Sequence, residues 1–353
     1  MERFGFILGV AIAAIFAIGA LIGVGDGKFT FHVGDDEHFI GPVISGAEAA
    51  QPGVERTYPA SAVILRDAVA VLRIVPEDRA DVAVTITGGT KLPALKVGVA
   101  GDELVLDGEL DRRIRDCRTM NGRLSVGVSN LGRVDQSAMP IITIRTPRDV
   151  LVAADGAVIS EVGASRSAKL RFSGCGDALV GAVEQALALD VSGSGDVRAS
   201  DAGSADIDSS GSADLTLGAI GGEMEAELSG SGSLTAGDVG GAARLRLAGS
   251  GDLQVGAVKG PLTAKLGGSG GIEVAEAGGD LELAVAGSGD LAVRGGQAGR
   301  VKAEIAGSGG ISFAGTAESL EASIAGSGDV EVAKVTGKVQ KSVAGSGEVL
   351  VGS

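Results

Sequence analysis

A four-residue motif returns at an almost constant interval through the second half of this chain, and that period limits the fold more than any other feature. It starts at Gly174 (GCGD), Gly193 (GSGD), Gly211 (GSAD), Gly230 (GSGS), Gly249 (GSGD), Gly268 (GSGG), Gly287 (GSGD), Gly307 (GSGG), Gly326 (GSGD) and Gly345 (GSGE). Successive starts differ by 19, 18, 19, 19, 19, 19, 20, 19 and 19. A fixed period near 20 with glycine at the corners is the mark of a solenoid, in which each repeat is one coil.

Columns within the repeat give the kind of coil. Four residues after the first glycine stand Ala178, Val197, Leu215, Leu234, Leu253, Ile272, Leu291, Ile311, Val330 and Val349, all apolar. Two residues before it stand Phe172, Val191, Ser209, Leu228, Leu247, Leu266, Val285, Ile305, Ile324 and Val343, apolar except the serine. Flanking residues alternate, as in Leu281-Glu282-Leu283-Ala284-Val285, and alternation at period two means strands with one buried face. A third apolar point recurs at Val239, Val258 and Val335. Glycine and β-branched residues would interrupt any helical stripe. One repeat cannot bury its apolar face alone, but stacked repeats close a continuous core. The fold class expected is all-β, a single-stranded parallel β-helix. Right-handed winding follows from the preference of parallel crossovers. Ten rungs would span roughly 45–50 Å.

The motif is then a structural corner: Gly193-Ser194-Gly195-Asp196, Gly249-Ser250-Gly251-Asp252, Gly287-Ser288-Gly289-Asp290 and Gly326-Ser327-Gly328-Asp329 in its complete form. Glycine permits backbone angles and rung-to-rung approaches that other residues resist. The serine hydroxyl can bond turn backbone or form a ladder between rungs, and Asp suits the turn exit for the same reason. A phosphate cradle is excluded because no helix, Lys or Thr follows in the P-loop pattern. A calcium-binding β-roll has a nonapeptide period, whereas here the aspartate column is broken by Ser233, Gly271 and Gly310. The aspartates that remain are a weak alternative cation site, and no cofactor or metal is implied.

Residues 61–173 read as the irregular start of the same coil, with strand-like runs punctuated by Pro76, Pro93, Pro140 and Pro147. The charged segment Glu109–Arg123, ELDRRIRDCRTMNGR, reads as a solvated insertion loop near residues 108–123 on the side of the coil, with a ligand site on its arginines, the one basic cluster, as the alternative. It holds Cys117, and Cys175 replaces serine in the first corner. A bridge between these two, the only cysteines, would tie insertion to coil. Two unpaired small residues are the other reading.

Residues Phe4–Val24 form an uncharged apolar run behind Arg3, with acidic residues beyond it. About 20 apolar residues can cross a bilayer as a helix, and the charge asymmetry places the body outside the cytoplasm. A cleaved signal peptide, cut near Ala17-Ile18-Gly19, competes with an uncleaved anchor. Residues 25–60 read as a linker. His32 and His38 lie in it beside Asp35, Asp36 and Glu37, a solvated acidic tether rather than a metal site. No histidine is left in the main body for catalysis. With 60 Gly, no Trp, one Tyr and a net charge of −15, the chain lacks the basic face that nucleic acid binding needs.

The run Met139–Gly163, MPIITIRTPRDVLVAADGAVISEVG, followed by LRFSGCGDALVG and the GSGD corners, resembles the head GIN domain family of putative autotransporter adhesins. The resemblance runs from about Ala62 to Val351 and implies a parallel β-helix in the bacterial cell envelope. It brings no catalytic or ligand residues. No C-terminal membrane barrel of alternating strands is present in the sequence. The expected function is a non-enzymatic envelope module with an unidentified protein or glycan ligand. It would be held at the inner membrane with a periplasmic body, or be secreted to the cell surface if cleaved. The coil would present outward residues such as Arg244, Arg246, Gln254, Lys265, Glu273, Glu282, Lys302, Glu304, Glu321 and Glu331. Their mixed sign and the scarcity of aromatics speak against a polysaccharide-cleaving enzyme. The final rung, EVLVGS, shows no polar cap in the sequence, which suggests an envelope assembly or signalling component that self-associates through that end.

Overall fold

The structure, a computed structural model, describes residues 47–120 and 122–352. The apolar run Phe4–Val24 and both histidines lie outside the described residues. Among the described residues no helix is long and apolar enough to cross a membrane, and the helical content is one 3-10 turn, Gln136–Ala138.

The chain coils into a β-solenoid of about 11 turns at a spacing of about 19 residues. Each turn places its strands beside the same strands of the next, in parallel. Leu234 faces Leu253, Leu253 faces Ile272, and Ile272 faces Leu291. The third apolar point makes its own bridges, Ile220 to Val239 and Val239 to Val258. Leu234 and Leu253 are 0 % exposed and Leu291 1 % exposed. Each such side chain contributes about 1.5–3 kcal/mol by leaving water. The alternation in the sequence thus becomes one continuous apolar column system.

Regular coiling begins earlier than the first GSGD-like corner. Strand Asp149–Val162 pairs in parallel with Ser167–Cys175 on one side and with Ala62–Glu77 on the other. Gly156 pairs with Gly174 and with Ala68, so an additional corner stands at Asp155-Gly156-Ala157, one rung upstream of Gly174. It escapes the motif because it has neither the serine nor the second glycine.

Four sequence expectations need correction. The linker to residue 60 is ordered near its end: Glu48–Ala49 and Arg56–Tyr58 are strands, antiparallel to Lys96–Ala100 and Val82–Gly88. Residues 61–173 are not irregular rungs throughout. Val82–Gly88 runs antiparallel to Pro140–Pro147, and Lys96–Ala100 antiparallel to Glu103–Asp107. These strands cover the first rungs, and Val82, Val84, Leu95 and Val97 extend the main core over the end. Period-two alternation reports which face is buried and says nothing about strand direction, so the sequence could not separate a cap from a rung.

Segment 109–123 is also no loop. Ile114–Met120, Arg123–Val128 and Gly132–Asp135 form a separate three-stranded antiparallel sheet. Its inner face, Leu124, Val126, Val128 and Val134, packs on Val69, Val71 and Ala157 of the coil in a second apolar cluster.

The far end differs too. The inward column Val152, Leu170, Leu189, Ile207, Ala226, Leu245, Ala264, Leu283, Ala303 and Ala322 ends at Lys341. The Lys341 ammonium donates a 2.7 Å hydrogen bond to the Val349 carbonyl. A charge at an inward position of an edge strand guards against edge-to-edge pairing. The last rung therefore carries a polar cap after all. Reading its EVLVGS tail alone missed it, because the lysine lies one strand earlier.

Candidate functional site

The corner residues line one edge of the coil in register. Gly193 pairs with Gly211, and Gly230, Gly249, Gly268, Gly287, Gly307, Gly326 and Gly345 follow in one line. Ser194, Ser250, Ser288 and Ser327 are exposed. Their backbone amides, and not their hydroxyls, bind the neighbouring rung: Ser250 N–H donates to the Gly230 carbonyl at 3.0 Å and Ser288 N–H to that of Gly268 at 2.9 Å. Gly249 holds φ at 144°, a region closed to most side chains. Gly251 is needed for space: a Cβ there would stand 1.9 Å from the Gly232 carbonyl oxygen.

The aspartates have a role that the sequence did not disclose. The Asp177, Asp252, Asp290 and Asp329 carboxylates accept the backbone N–H of Asp196, Gly271, Gly310 and Glu348 at 2.8–3.2 Å. Each donor is the fourth corner residue of the next rung. One carboxylate thus braces one coil to the next, and the column survives interruption because Gly271 and Gly310 need only donate. Asp201 and Asp238 do the same at another corner, to Ala219 and Ala257 at 2.8 and 2.9 Å. This is a scaffold device; among the described residues no group of three or more His, Cys, Asp or Glu is placed to hold a metal ion.

Cys117 and Cys175 are joined by a disulfide, with Cα atoms 6.4 Å apart. Cys175 takes the corner serine's place, and the same corner position is Ala157 one rung earlier and Val69 before that. Those three lie under the inserted sheet, and serine begins at Ser194, where the sheet no longer covers the edge. A serine beneath the sheet would bury its hydroxyl without a partner, at a cost of about 1–3 kcal/mol.

Most outward charges of the coil are matched within the chain. Arg246 pairs with Glu225 at 2.8 Å, Arg294 with Glu273 at 2.9 Å, and Lys302 with Glu304 at 2.9 Å. Asp206, Asp208 and Glu227 gather on neighbouring rungs. Partial burial, followed by repulsion from Asp206 and Glu227, raises the Asp208 carboxyl above its ordinary range. An open groove of about 580 Å³ lies on the flank of the first rungs between Arg73 and Arg198, beside the exposed Leu179. Both arginines there are already engaged, with Glu161 and Asp196.

The outward face of the inserted sheet carries a different charge. Arg115, Arg118, Arg123 and Arg133 project from it against Asp116 and Asp135. Arg133 and Arg118 both pair with Asp116, at 2.5 and 3.1 Å. Their guanidinium groups, Arg133 first, hold the Asp116 carboxyl below its usual range. Arg115 donates to the Ser129 hydroxyl. No hydrogen bond or ion pair holds the Arg123 side chain among the described residues. The sequence signal was present in the alternation Leu124, Val126, Val128, but the arginines around it read as solvated loop.

The chain is a parallel β-solenoid with braced corners and an accessory sheet fastened by a disulfide. A family model described as "Putative auto-transporter adhesin, head GIN domain" matches residues 72–277 and 263–353, and the chain belongs to that family. No curated protein matches the sequence. Among solved structures, the chain is similar to a "putative lipid binding protein" from Parabacteroides distasonis at 17 % identity, covering 86 % of this chain and 98 % of that one, with a TM-score of 0.28. A "putative adhesin" from the same organism shows 14 % identity, 84 % and 96 % coverage and a TM-score of 0.28. Another from Bacteroides fragilis shows 14 % identity, 86 % and 98 % coverage and a TM-score of 0.22.

Proposed function

We propose that the protein is a non-enzymatic, adhesin-like binding module of the cell envelope. The apolar run Phe4–Val24 exports it, either retained as an inner-membrane anchor or cleaved to release the body. The observation that carries the reading is membership of the adhesin head family over residues 72–353. The Cys117–Cys175 bridge is in keeping with an oxidising compartment. The solenoid flank supplies the extended, rigid surface that such modules use.

The test is display of the full chain on a non-adherent cell, with attachment scored on a panel of protein- and glycan-coated surfaces and with protease added to the intact cells. Attachment to at least one surface, abolished by protease, is expected. Release of soluble sugar from a polysaccharide panel by the purified protein would instead make it an enzyme and end this reading.

Association of copies through the last rung is a second reading. Val339 and Val343, in register with the buried Leu320 and Ile324, are 37 and 44 % exposed there, which favours a covered end, while Lys341 at the inward position opposes it.

A further inference from the structure

The inserted sheet is where the chain departs from its own repeat. The coil is left after Asp107 and resumed at Pro140, and the intervening strands add nothing to the stacked core. They are nevertheless fastened twice, by the second apolar cluster and by the disulfide. In repeat proteins, insertions map to one face, commonly the binding face. Here that face has four guanidinium groups against two carboxylates, on a chain of net charge −15. Asp116 is already shared between Arg118 and Arg133. Arg115 and Arg123 remain exposed with no carboxylate partner among the described residues.

We infer that this outward face, with Arg115 and Arg123 as its reading residues, binds an anionic polysaccharide. The inference rests on the reading of the protein as a binding module. Guanidinium presents paired donors that match carboxylate and phosphate oxygens. The Ser125 hydroxyl donates to Asp135 at 2.7 Å, and the remaining oxygen lone pairs of Asp116 and Asp135 on the same face are acceptors suited to sugar hydroxyls. A single polymer strand lies within the screening length of about 8 Å from this face alone. Single-stranded nucleic acid would want aromatic stacking platforms, and this chain has one Tyr and no Trp.

The test is binding of the full chain, held in mild detergent on account of its apolar run, to polygalacturonate and to phosphomannan, with dextran as the neutral control. The variant R115Q/R123Q is compared with R244Q/R246Q, which removes the same charge from the coil flank. The expected result is binding to the acidic polymers and not to dextran, weakened about tenfold in R115Q/R123Q, unchanged in R244Q/R246Q, and reduced by added salt. Circular dichroism of both variants should match the parent, since each altered side chain is exposed.

Equal loss in the two variants would mean unspecific charge attraction and overturn the site. Binding to phosphatidylglycerol vesicles in place of the polymers would overturn it in favour of a membrane surface. A displayed protein that attaches cells yet binds neither polymer removes this inference and leaves the binding-module reading standing.

Discussion

Replacing Gly251 by alanine should damage the solenoid far more than replacing its neighbour Ser250. A Cβ at residue 251 would lie 1.9 Å from the Gly232 carbonyl oxygen, where ordinary contact begins near 3.4 Å. The two rungs would therefore have to part locally until that gap is made up. The obstacle is backbone, so no rotamer change relieves it. The bond from Ser250 N–H to the Gly230 carbonyl, 3.0 Å long, would then open beyond hydrogen-bonding distance. Losing this solvent-accessible inter-rung bond costs about 0.5–1.5 kcal/mol, and forcing an extra methyl into a packed site costs about 1–3 kcal/mol. Together the expected loss is about 2–4 kcal/mol, a large part of a typical domain's stability. Ser250→Ala should stay within about 0.5 kcal/mol, because the exposed hydroxyl makes no rung contact. Urea unfolding followed by circular dichroism measures both. Hydrogen exchange should place the weakness in the rungs around residues 230–270, since each rung couples mainly to its neighbours. If Gly251→Ala proves as mild as Ser250→Ala, the rungs are not held at the separation described and the close-approach argument fails.

Other predictions concern the two ends and the insertion. Asp67 has its carboxyl pushed up to about 6, first by burial and then by Asp155, Asp107 and Asp111, with Arg66 opposing. A folded pKa above the unfolded one means that stability is fullest below about pH 4 and falls as pH rises to about 6. Asp67→Asn, which tolerates the positive φ of 49° there, should stabilise at pH 7 by about 1 kcal/mol after allowance for solvent screening and change nothing at pH 4. Thermal melts at both pH values decide it, and equal effects at both would count against the assignment. Removing the bridge with Cys117→Ser and Cys175→Ser opens a loop of 58 residues, for which chain entropy gives about 4 kcal/mol. Proteolysis should then cut first between residues 109 and 139, and an unchanged cleavage pattern would show that the apolar cluster alone holds the sheet. Lys341→Leu should convert a monomer into an end-to-end dimer in sedimentation experiments; a parent already dimeric through the last rung would refute the capping role of the lysine.

Much of the architecture was legible in the residues because a solenoid writes its geometry into a period. Like residues recur where rungs stack, so Leu234, Leu253, Ile272 and Leu291 announced their contacts by spacing alone. Glycine marked the corner because only its missing side chain admits the next backbone. What stayed hidden depends on contacts between segments that do not repeat. Alternation in Val82–Gly88 betrays a buried face but not an antiparallel partner. The Cys117–Cys175 bridge was one of two readings the sequence left open, and the choice depends on which edge the inserted sheet leans against, a matter of three-dimensional neighbourhood across 58 residues. The corner aspartates read as turn formers, yet their carboxylates reach an amide one full coil away. Lys341 has no special mark in the sequence, and only the register sets it at the end of an apolar column. Periodic local pattern carries the coil, because every rung meets a copy of itself; the cap, the bridge and the arginine face arise from unique encounters, which only the folded chain brings about.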